Sequence, residues 1–224
     1  RAAKLVPANF LPESLGVLAG AASITESDQA VLLQELIDAT TGIELLRPVN
    51  APDLYLKAII GSINTLKREG VAPDRVAHIA DTEEKAILNA GDLYHEKGVH
   101  KRKMKGAYQD ELKQTSKLRE LAILYGEYQN TLRAQRLYDY NDMVMEVAHA
   151  LESDENLRLM LQEKHHYLLV DEHQDTNNAQ NRIIELLGSF WERPNLFVVG
   201  DAKQAIYRFQ GASLENFLYF KSLY

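Results

Sequence analysis

The chain has 224 residues and a net charge of −7, and 46% of its residues are hydrophobic and 25% charged. These values are typical of a folded protein with a core of its own, and the acidic balance argues against binding nucleic acid through overall charge. No apolar run approaches the roughly 18 residues of a membrane span, so we expect no membrane contact and a cytoplasmic location. Cysteine is absent, which excludes disulfides and thiolate metal sites.

Helix signals dominate the first three quarters of the chain. Thr25 or Ser27 predicts a helix start before the apolar-periodic segment 30–37, which ends near Gly42. The stretch 91–106 gives a weaker signal. Further helices are predicted from Pro52-Asp53 to Gly70, from Tyr108 to Arg136, from Asn141 to Leu151 and from Asn156 to Lys164. Two more helix starts are predicted, one at Pro73-Asp74 and a separate one at Asp81 to Glu84.

The pattern changes at Tyr167. Two short apolar runs, 167–170 and 196–199, are typical of buried parallel strands, and the segment 179–190 between them predicts a crossover helix. We therefore predict an α/β fold with a boundary near His165. Residues 1–165 would form a mainly α-helical subdomain, and residues 166–224 would form part of a parallel-sheet domain.

Two carboxylates, Asp171 and Glu172, follow the first predicted strand. In open α/β sheets, ligands bind beyond the carboxyl ends of the strands. One carboxylate there can hold Mg²⁺, and the other can orient and deprotonate an attacking water. The alternative is that Asp171 caps the next helix and Glu172 is solvated. The pair by itself leaves both interpretations open.

The second predicted strand is followed by residues suited to phosphate and nucleic acid. Gly200 permits a tight exit from the strand, and Gln204 can both donate to and accept from a phosphate or water. Tyr207 and Phe209, with Arg208 between them, have the chemistry of a stacking platform for single-stranded bases. The alternative is that both rings are core residues after a turn.

Longer motifs around these residues resemble a known family. The segment 168–176, followed by Gln180, resembles the Walker B motif of UvrD/Rep-type superfamily 1 DNA helicases, whose core reads Asp-Glu-x-Gln-Asp-Thr. The segment 199–212 resembles that family's next motif, and 137–143 is a weaker match to its Leu-Asp-Phe-x-Asp-Leu element. The strong resemblance covers about residues 167–212, and the helical region fits the family's inserted helical subdomain by position and character.

The resemblance implies part of a RecA-like P-loop NTPase sheet and a nucleotide site. Asp171 would bind the Mg²⁺ of Mg-ATP, and Glu172 would activate the hydrolytic water. Gln174 would lie beside the nucleotide, Asp175 would support the loop, and Gln204 would contact the γ-phosphate. The resemblance therefore implies ATP and Mg²⁺ as cofactors.

The same resemblance implies that Tyr207 and Phe209 contact single-stranded DNA, with Arg208 beside them. Two positions depart from the commonest family pattern: His173 stands where Phe or Tyr is more usual, and Gln210 where many members have Arg. Lys203 and Phe209 are similar to the RecB/AddA-like branch. The branch therefore stays open, as does the pathway between repair, recombination and plasmid replication.

A basic cluster lies in the weakly predicted stretch. Lys101, Arg102 and Lys103 stand together between Lys97 and Lys105. On an acidic chain such a cluster can contact phosphates of duplex DNA, as the family's helical insert does in related enzymes. The alternative is a solvated loop.

A phosphate-binding loop of the form Gly-x-x-x-x-Gly-Lys-Ser/Thr is required for ATP use in such enzymes. The chain has no Gly-Lys pair, and in the family this loop precedes the helical insert. We expect a fragment of an ATP-dependent 3′-to-5′ DNA helicase that alone neither hydrolyses ATP nor unwinds DNA. Its partial sheet would have open edges, which favour a dimer. The competing hypotheses are a non-catalytic DNA-binding scaffold and a different Mg²⁺-dependent NTPase.

Overall fold

The computed structural model describes residues 20–95, 97 and 100–201. In chain order the described elements are β1 (Ala22–Ser23), α1 (Glu26–Ala39), α2 (Leu56–Arg68), α3 (Pro73–Leu88), α4 (Gly106–Ala134), β2 (Leu137–Tyr138), α5 (Tyr140–Ser153), α6 (Glu155–Lys164), β3 (Leu168–Val170), a 3₁₀ turn (His173–Asp175), α7 (Asn178–Gly188) and β4 (Leu196–Val198). The predicted α/β class with a largely helical part is confirmed.

One compact unit comprises residues 25–63 and 71–132. Helix α1 begins as predicted, because the Thr25 side chain accepts a hydrogen bond from the backbone N–H of Asp28 and the Asp28 side chain accepts one from the backbone N–H of Thr25. The core of this unit contains fully buried side chains from all four helices: Leu33, Ile37, Ile59, Ile63, Val76, Leu124, Tyr125 and Tyr128.

The loop after α1 is fixed by one buried carboxylate. Glu120 on α4 accepts hydrogen bonds from the backbone N–H groups of Glu44, Leu45 and Leu46 at 2.8–3.1 Å. Glu120 is only 8% exposed. Sequence periodicity gave no sign of this contact, since Glu120 and the loop are more than seventy residues apart.

Two predicted helix starts are wrong. Helix α3 runs unbroken through Asp81, where a separate start was predicted, because no Gly or Pro interrupts it and Asp81 accepts a hydrogen bond from Arg119 on α4. Helix α2 begins at Leu56, three residues after Asp53, since residues 51–55 form turns. The end at Gly70 is confirmed by its left-handed backbone, with φ of 69°.

The described part of the other unit comprises residues 20–24, 64–70 and 133–201. It contains a parallel pair, β1 with β2, that the sequence did not predict. Helices α5, α6 and α7 enclose a small apolar core of Val147, Ala150, Leu151, Leu157, Leu161 and Leu186. Asp139 begins α5 with a reciprocal capping box to Asp142.

The predicted strand–helix–strand unit is confirmed. Strands β3 and β4 pair in parallel, Leu169 lies opposite Phe197, and α7 connects them. The expectation that both strands are fully buried is wrong. Side chains alternate across a strand, and the side carrying Leu169 (78% exposed) and Phe197 (63% exposed) is open to solvent.

The division into units differs from the boundary predicted near His165. Helices α5 and α6 precede His165 but belong to the same unit as β3 and β4. Their apolar faces are the reason, because Leu151 and Leu161 pack with Leu186 of the crossover helix.

Among the described residues, no helix combines the length and apolar character needed to cross a membrane.

Candidate functional site

The end of β3 presents the predicted acidic pair. Asp171 and Glu172 are both exposed, and the backbone N–H of Glu172 donates to Oδ1 of Asp171 at 2.9 Å. Glu172 adopts a left-handed conformation, with φ of 50° and ψ of 43°, before the 3₁₀ turn. Such a conformation is uncommon for a residue with a side chain and is often found at functional sites.

A buried glutamine connects the acidic pair to the end of β4. Nε2 of Gln174 donates to Oε2 of Glu172 at 2.6 Å, and Oε1 of Gln174 accepts from the backbone N–H of Asp201 at 2.9 Å. Gln174 is 2% exposed. It therefore fixes the Glu172 carboxylate relative to both strand ends.

Backbone hydrogen bonds hold the same corner. The N–H of Val199 donates to the carbonyl of Val170 at 2.8 Å, and the N–H of His173 donates to the carbonyl of Val199 at 3.0 Å. The parallel ladder thus continues past β3 into the turn. Glu172 therefore lies between two residues, Val170 and His173, whose backbones are both bonded to Val199.

His173 anchors the turn to α7. It is 1% exposed, and burial lowers the pKa of its imidazole below the ordinary value, while a hydrogen bond with Asn181 acts in the opposite direction. Asn181 also accepts a hydrogen bond from Thr176 at 2.9 Å. The histidine that stands where the family more often has Phe or Tyr is therefore a buried, packed ring.

Helix α7 starts with a capping box of its own. Asn177 accepts from the backbone N–H of Gln180, and the Gln180 side chain accepts from the N–H of Asn177, both at 3.0 Å. Asp171 does not cap this helix, so the capping half of the alternative interpretation is wrong, whereas Glu172 is exposed as that alternative expected. Gln180 therefore has a local structural role in starting α7.

Two features of the turn fit a hydrated magnesium ion with phosphates. Asp171 offers an exposed carboxylate at the carboxyl end of a parallel strand, and Mg²⁺ is usually bound by one or two carboxylates together with phosphates and water. Oδ1 of Asp175 is buried without a hydrogen-bond partner in the described part of the chain. Among those residues no cluster of three or more His, Asp or Glu could hold a metal.

The remaining predicted residues after β4 are Gln204, Tyr207, Arg208 and Phe209, and all four lie outside the described residues. Their placement beside Asp171 and Glu172 stays a prediction.

The basic cluster lies on an irregular hairpin between α3 and α4. Tyr94 forms an antiparallel bridge with Met104, and Lys101, Arg102 and Lys103 are exposed. The basic side chains of the hairpin differ in their ion pairing. Lys105 is paired with Asp92 at 2.7 Å, whereas no ion pair within the described ranges involves the other three cations.

A buried lysine was missed by the sequence analysis. Nζ of Lys67 lies 2.5 Å from Oδ2 of Asp139 and 2.7 Å from Oδ1 of Asp142. The signal was present in the helix register, because Lys67 lies four and eight residues after the buried Ile63 and Ile59. A lysine on the buried face of a helix calls for a buried acidic partner.

Comparison with known proteins finds DNA helicases that match part of this chain. The chain is 44% identical over 90 residues to a probable DNA helicase of Mycoplasma pneumoniae, a match that covers 40% of this chain and 17% of the relative. It is 38% identical over 104 residues to the ATP-dependent DNA helicase PcrA of Staphylococcus aureus, covering 46% of this chain and 14% of the relative. A PcrA of Leuconostoc citreum matches with the same identity and coverage. The chain thus spans less than a fifth of the length of these relatives.

The family model of the UvrD/REP helicase N-terminal domain matches residues 12–224. This match extends well beyond the two motifs, since it includes the helical region before Tyr167. It confirms the resemblance inferred from the motifs, and with it the assignment of β3 and β4 to part of a RecA-like sheet beside a helical subdomain. The chain belongs to the UvrD/REP helicase N-terminal domain family.

Proposed function

We propose that this chain is part of the first motor domain of an ATP-dependent DNA helicase. The observation that carries the proposal is the Gln174 bridge, which ties the Glu172 carboxylate to the end of β4. A bridge of this kind pre-positions a general base, and it also couples that base to the segment that follows β4. That segment contains Gln204, Tyr207 and Phe209.

In the proposed site Asp171 would hold the magnesium of Mg-ATP, and bound magnesium would neutralise charge on the phosphates. Glu172 would accept a proton from the attacking water. The amide of Gln174 donates to Glu172 and orients its carboxylate. The base is therefore held in a fixed position at the end of β3.

Gln204 would sense the γ-phosphate, and Gln174 would transmit a change at Glu172 through Asp201 toward it. Tyr207, Arg208 and Phe209 would contact single-stranded DNA, and Lys101, Arg102 and Lys103 would contact duplex phosphates. The exposure of those three cations supports the latter contact. Translocation from 3′ to 5′ is implied by the family resemblance.

The backbone strain at Glu172 favours a catalytic role over that of a non-catalytic scaffold. The left-handed backbone of Glu172 is strained, and a scaffold has no use for a strained carboxylate fixed by a buried amide. A DNA substrate is consistent with the cytoplasmic location expected from the sequence. That the 224-residue chain alone is without ATPase activity stays a prediction.

We also infer that the isolated chain self-associates through β3 and β4. The described sheet has two strands, and its open side carries Tyr167, Leu169, Phe197 and Val199, which are 46–78% exposed. Exposed apolar strands with unpaired edges favour pairing with a second chain.

The substitution Glu172→Gln in the full-length protein tests the proposed activity. It keeps the acceptor for Gln174 but removes the base, so DNA-stimulated ATP turnover should fall by roughly 100- to 10,000-fold. Affinity for single-stranded DNA should stay unchanged. Turnover is measured by phosphate release, and DNA affinity by fluorescence anisotropy.

The matched control is Glu163→Gln, which changes an exposed glutamate on α6. It should leave both measurements as they are. A Glu172→Gln protein that hydrolyses ATP at the normal rate would rule out Glu172 as the base.

A further inference from the structure

A groove opens beside the basic hairpin, between the end of α3, residues 93–95 and Arg102. Its apolar floor is formed by Leu88, Ala90 and Leu93, and its rim by Tyr94, His95 and Arg102. The cavity measures about 480 Å³, which is within the range of roughly 300–1,000 Å³ found for small-molecule sites.

The rim is held in place by backbone hydrogen bonds. The N–H of His95 donates to the carbonyl of Lys103 at 3.0 Å, and the N–H of Arg102 donates back to the carbonyl of His95 at 2.8 Å. The N–H of Lys105 donates to the carbonyl of Leu93 at 3.0 Å. These bonds fix the backbone of Arg102 beside that of His95, and Arg102 is one of the residues that line the groove.

Arg102 occupies a left-handed backbone conformation, with φ of 64°. A residue with a long side chain is uncommon there, whereas Gly or Asn would fit with less strain. The hairpin therefore keeps a guanidinium at a position where the backbone alone would favour a small residue. Strain of this kind, held by a hydrogen-bonded frame, is a reason to look for a ligand.

The chemistry of the groove combines an aromatic face, an apolar floor and positive charge. The Tyr94 residue is 52% exposed. Arg102 lies between Lys101 and Lys103, and within the described ranges none of the three is in an ion pair, unlike Lys105 with Asp92. A neutral apolar ligand would leave this charge uncompensated, and a bare phosphate would leave the ring and floor unused.

We propose that this groove binds one unpaired nucleobase of a DNA strand, with the adjoining phosphate on Arg102. The base stacks on Tyr94 over the apolar floor, and Lys101 and Lys103 contact the phosphates that follow. The site therefore recognises a duplex end that carries an unpaired nucleotide. This inference rests on the proposed contact between the basic hairpin and DNA.

The experiment compares three DNAs of one duplex sequence at one salt concentration, using fluorescence anisotropy with the 224-residue chain. The first DNA has a blunt end, the second a short single-stranded thymidine tail, and the third a tail of the same length made of abasic nucleotides. The thymidine tail should raise affinity over the abasic tail by roughly 5- to 100-fold, the factor that one stacked base supplies.

Variants separate the base from the phosphates. Tyr94→Leu keeps an apolar side chain and should abolish the difference between the thymidine and abasic tails, whereas Tyr94→Phe should keep it. Arg102→Asn tolerates the left-handed backbone and should weaken binding of both tailed DNAs. Lys101→Glu with Lys103→Glu should weaken binding of all three DNAs and reduce the salt dependence.

Each outcome has a distinct meaning. Equal affinity for the thymidine and abasic tails, or an unchanged preference in Tyr94→Leu, would overturn the base site and leave a duplex-phosphate contact in place. Failure of the chain to bind any of the three DNAs would overturn the base site and the hairpin contact together. Neither result bears on ATP hydrolysis, which the Glu172→Gln measurement tests separately.

Discussion

Among the described residues, Lys67 carries a charged side chain that is fully buried between two carboxylates. Asp139 and Asp142 each use a second oxygen to accept the other's backbone N–H, so the pair begins helix α5 and holds the lysine at once. One cation therefore balances two acidic groups at the start of α5. Removing it leaves both carboxylates buried without their cation.

Lys67→Met is expected to lower the free energy of unfolding by about 3–5 kcal/mol, because breaking a buried ion pair leaves an uncompensated charge. The measurement is equilibrium denaturation in urea. Lys57→Met is the matched control, since Lys57 lies on the same helix but is exposed, and it should change stability by less than about 0.5 kcal/mol.

A second variant separates charge from packing. Adding Asp142→Asn to Lys67→Met removes one of the two stranded charges, so the double variant should be more stable than the sum of the single effects predicts, by about 1 kcal/mol or more. Additive effects of the two substitutions would show that the lysine acts by filling space and not by its charge.

At the scale of elements, helix α4 fixes a distant loop through Glu120. Its carboxylate accepts the backbone N–H groups of residues 44–46, which connect α1 to α2. Hydrogen bonds to a charged acceptor are stronger than those between neutral groups. The loop therefore depends on a side chain from another helix and not on its own sequence.

Glu120→Gln replaces one acceptor oxygen with a donor that would face a backbone N–H. Unfolding free energy should fall by roughly 1.5–3 kcal/mol, and hydrogen exchange at the amides of Glu44, Leu45 and Leu46 should become faster. The control Glu127→Gln changes an exposed glutamate on the same helix and should alter neither. Unchanged exchange at those three amides in the Glu120→Gln protein would contradict the assignment.

For the whole molecule, the open side of the β3–β4 pair decides how the isolated chain behaves. Light scattering of the 224-residue chain should give an average mass that rises with concentration, because exposed apolar strands pair with a second copy. Leu169→Lys with Phe197→Lys places two charges on facing positions of that side, and this variant should stay monomeric.

Val49→Lys is the control for added charge, since Val49 is 97% exposed and lies in the other unit. It should associate as the unchanged chain does. A chain that is monomeric at all concentrations, before any substitution, would remove the case for self-association through this sheet.

Local features were predictable because neighbouring residues cause them. The capping position of Thr25, the helix ends at Gly42 and Gly70, and the strand–helix–strand order after Tyr167 follow from side-chain chemistry within a few positions. The failures concern helix starts. Asp81 has the composition of a helix start, yet it lies in the middle of α3, where its side chain accepts a hydrogen bond from Arg119 on α4.

The sequence by itself determined the family and singled out the acidic pair, Asp171 and Glu172, because contiguous motifs can be recognised without coordinates. Only the tertiary structure decided that Gln174 joins Glu172 to the end of β4, that Lys67 lies between Asp139 and Asp142, and that one side of the sheet is open. Each of these depends on residues far apart in the chain or on opposite ends of a turn. Sequence periodicity records which face of an element is apolar, but it does not record which partner that face meets.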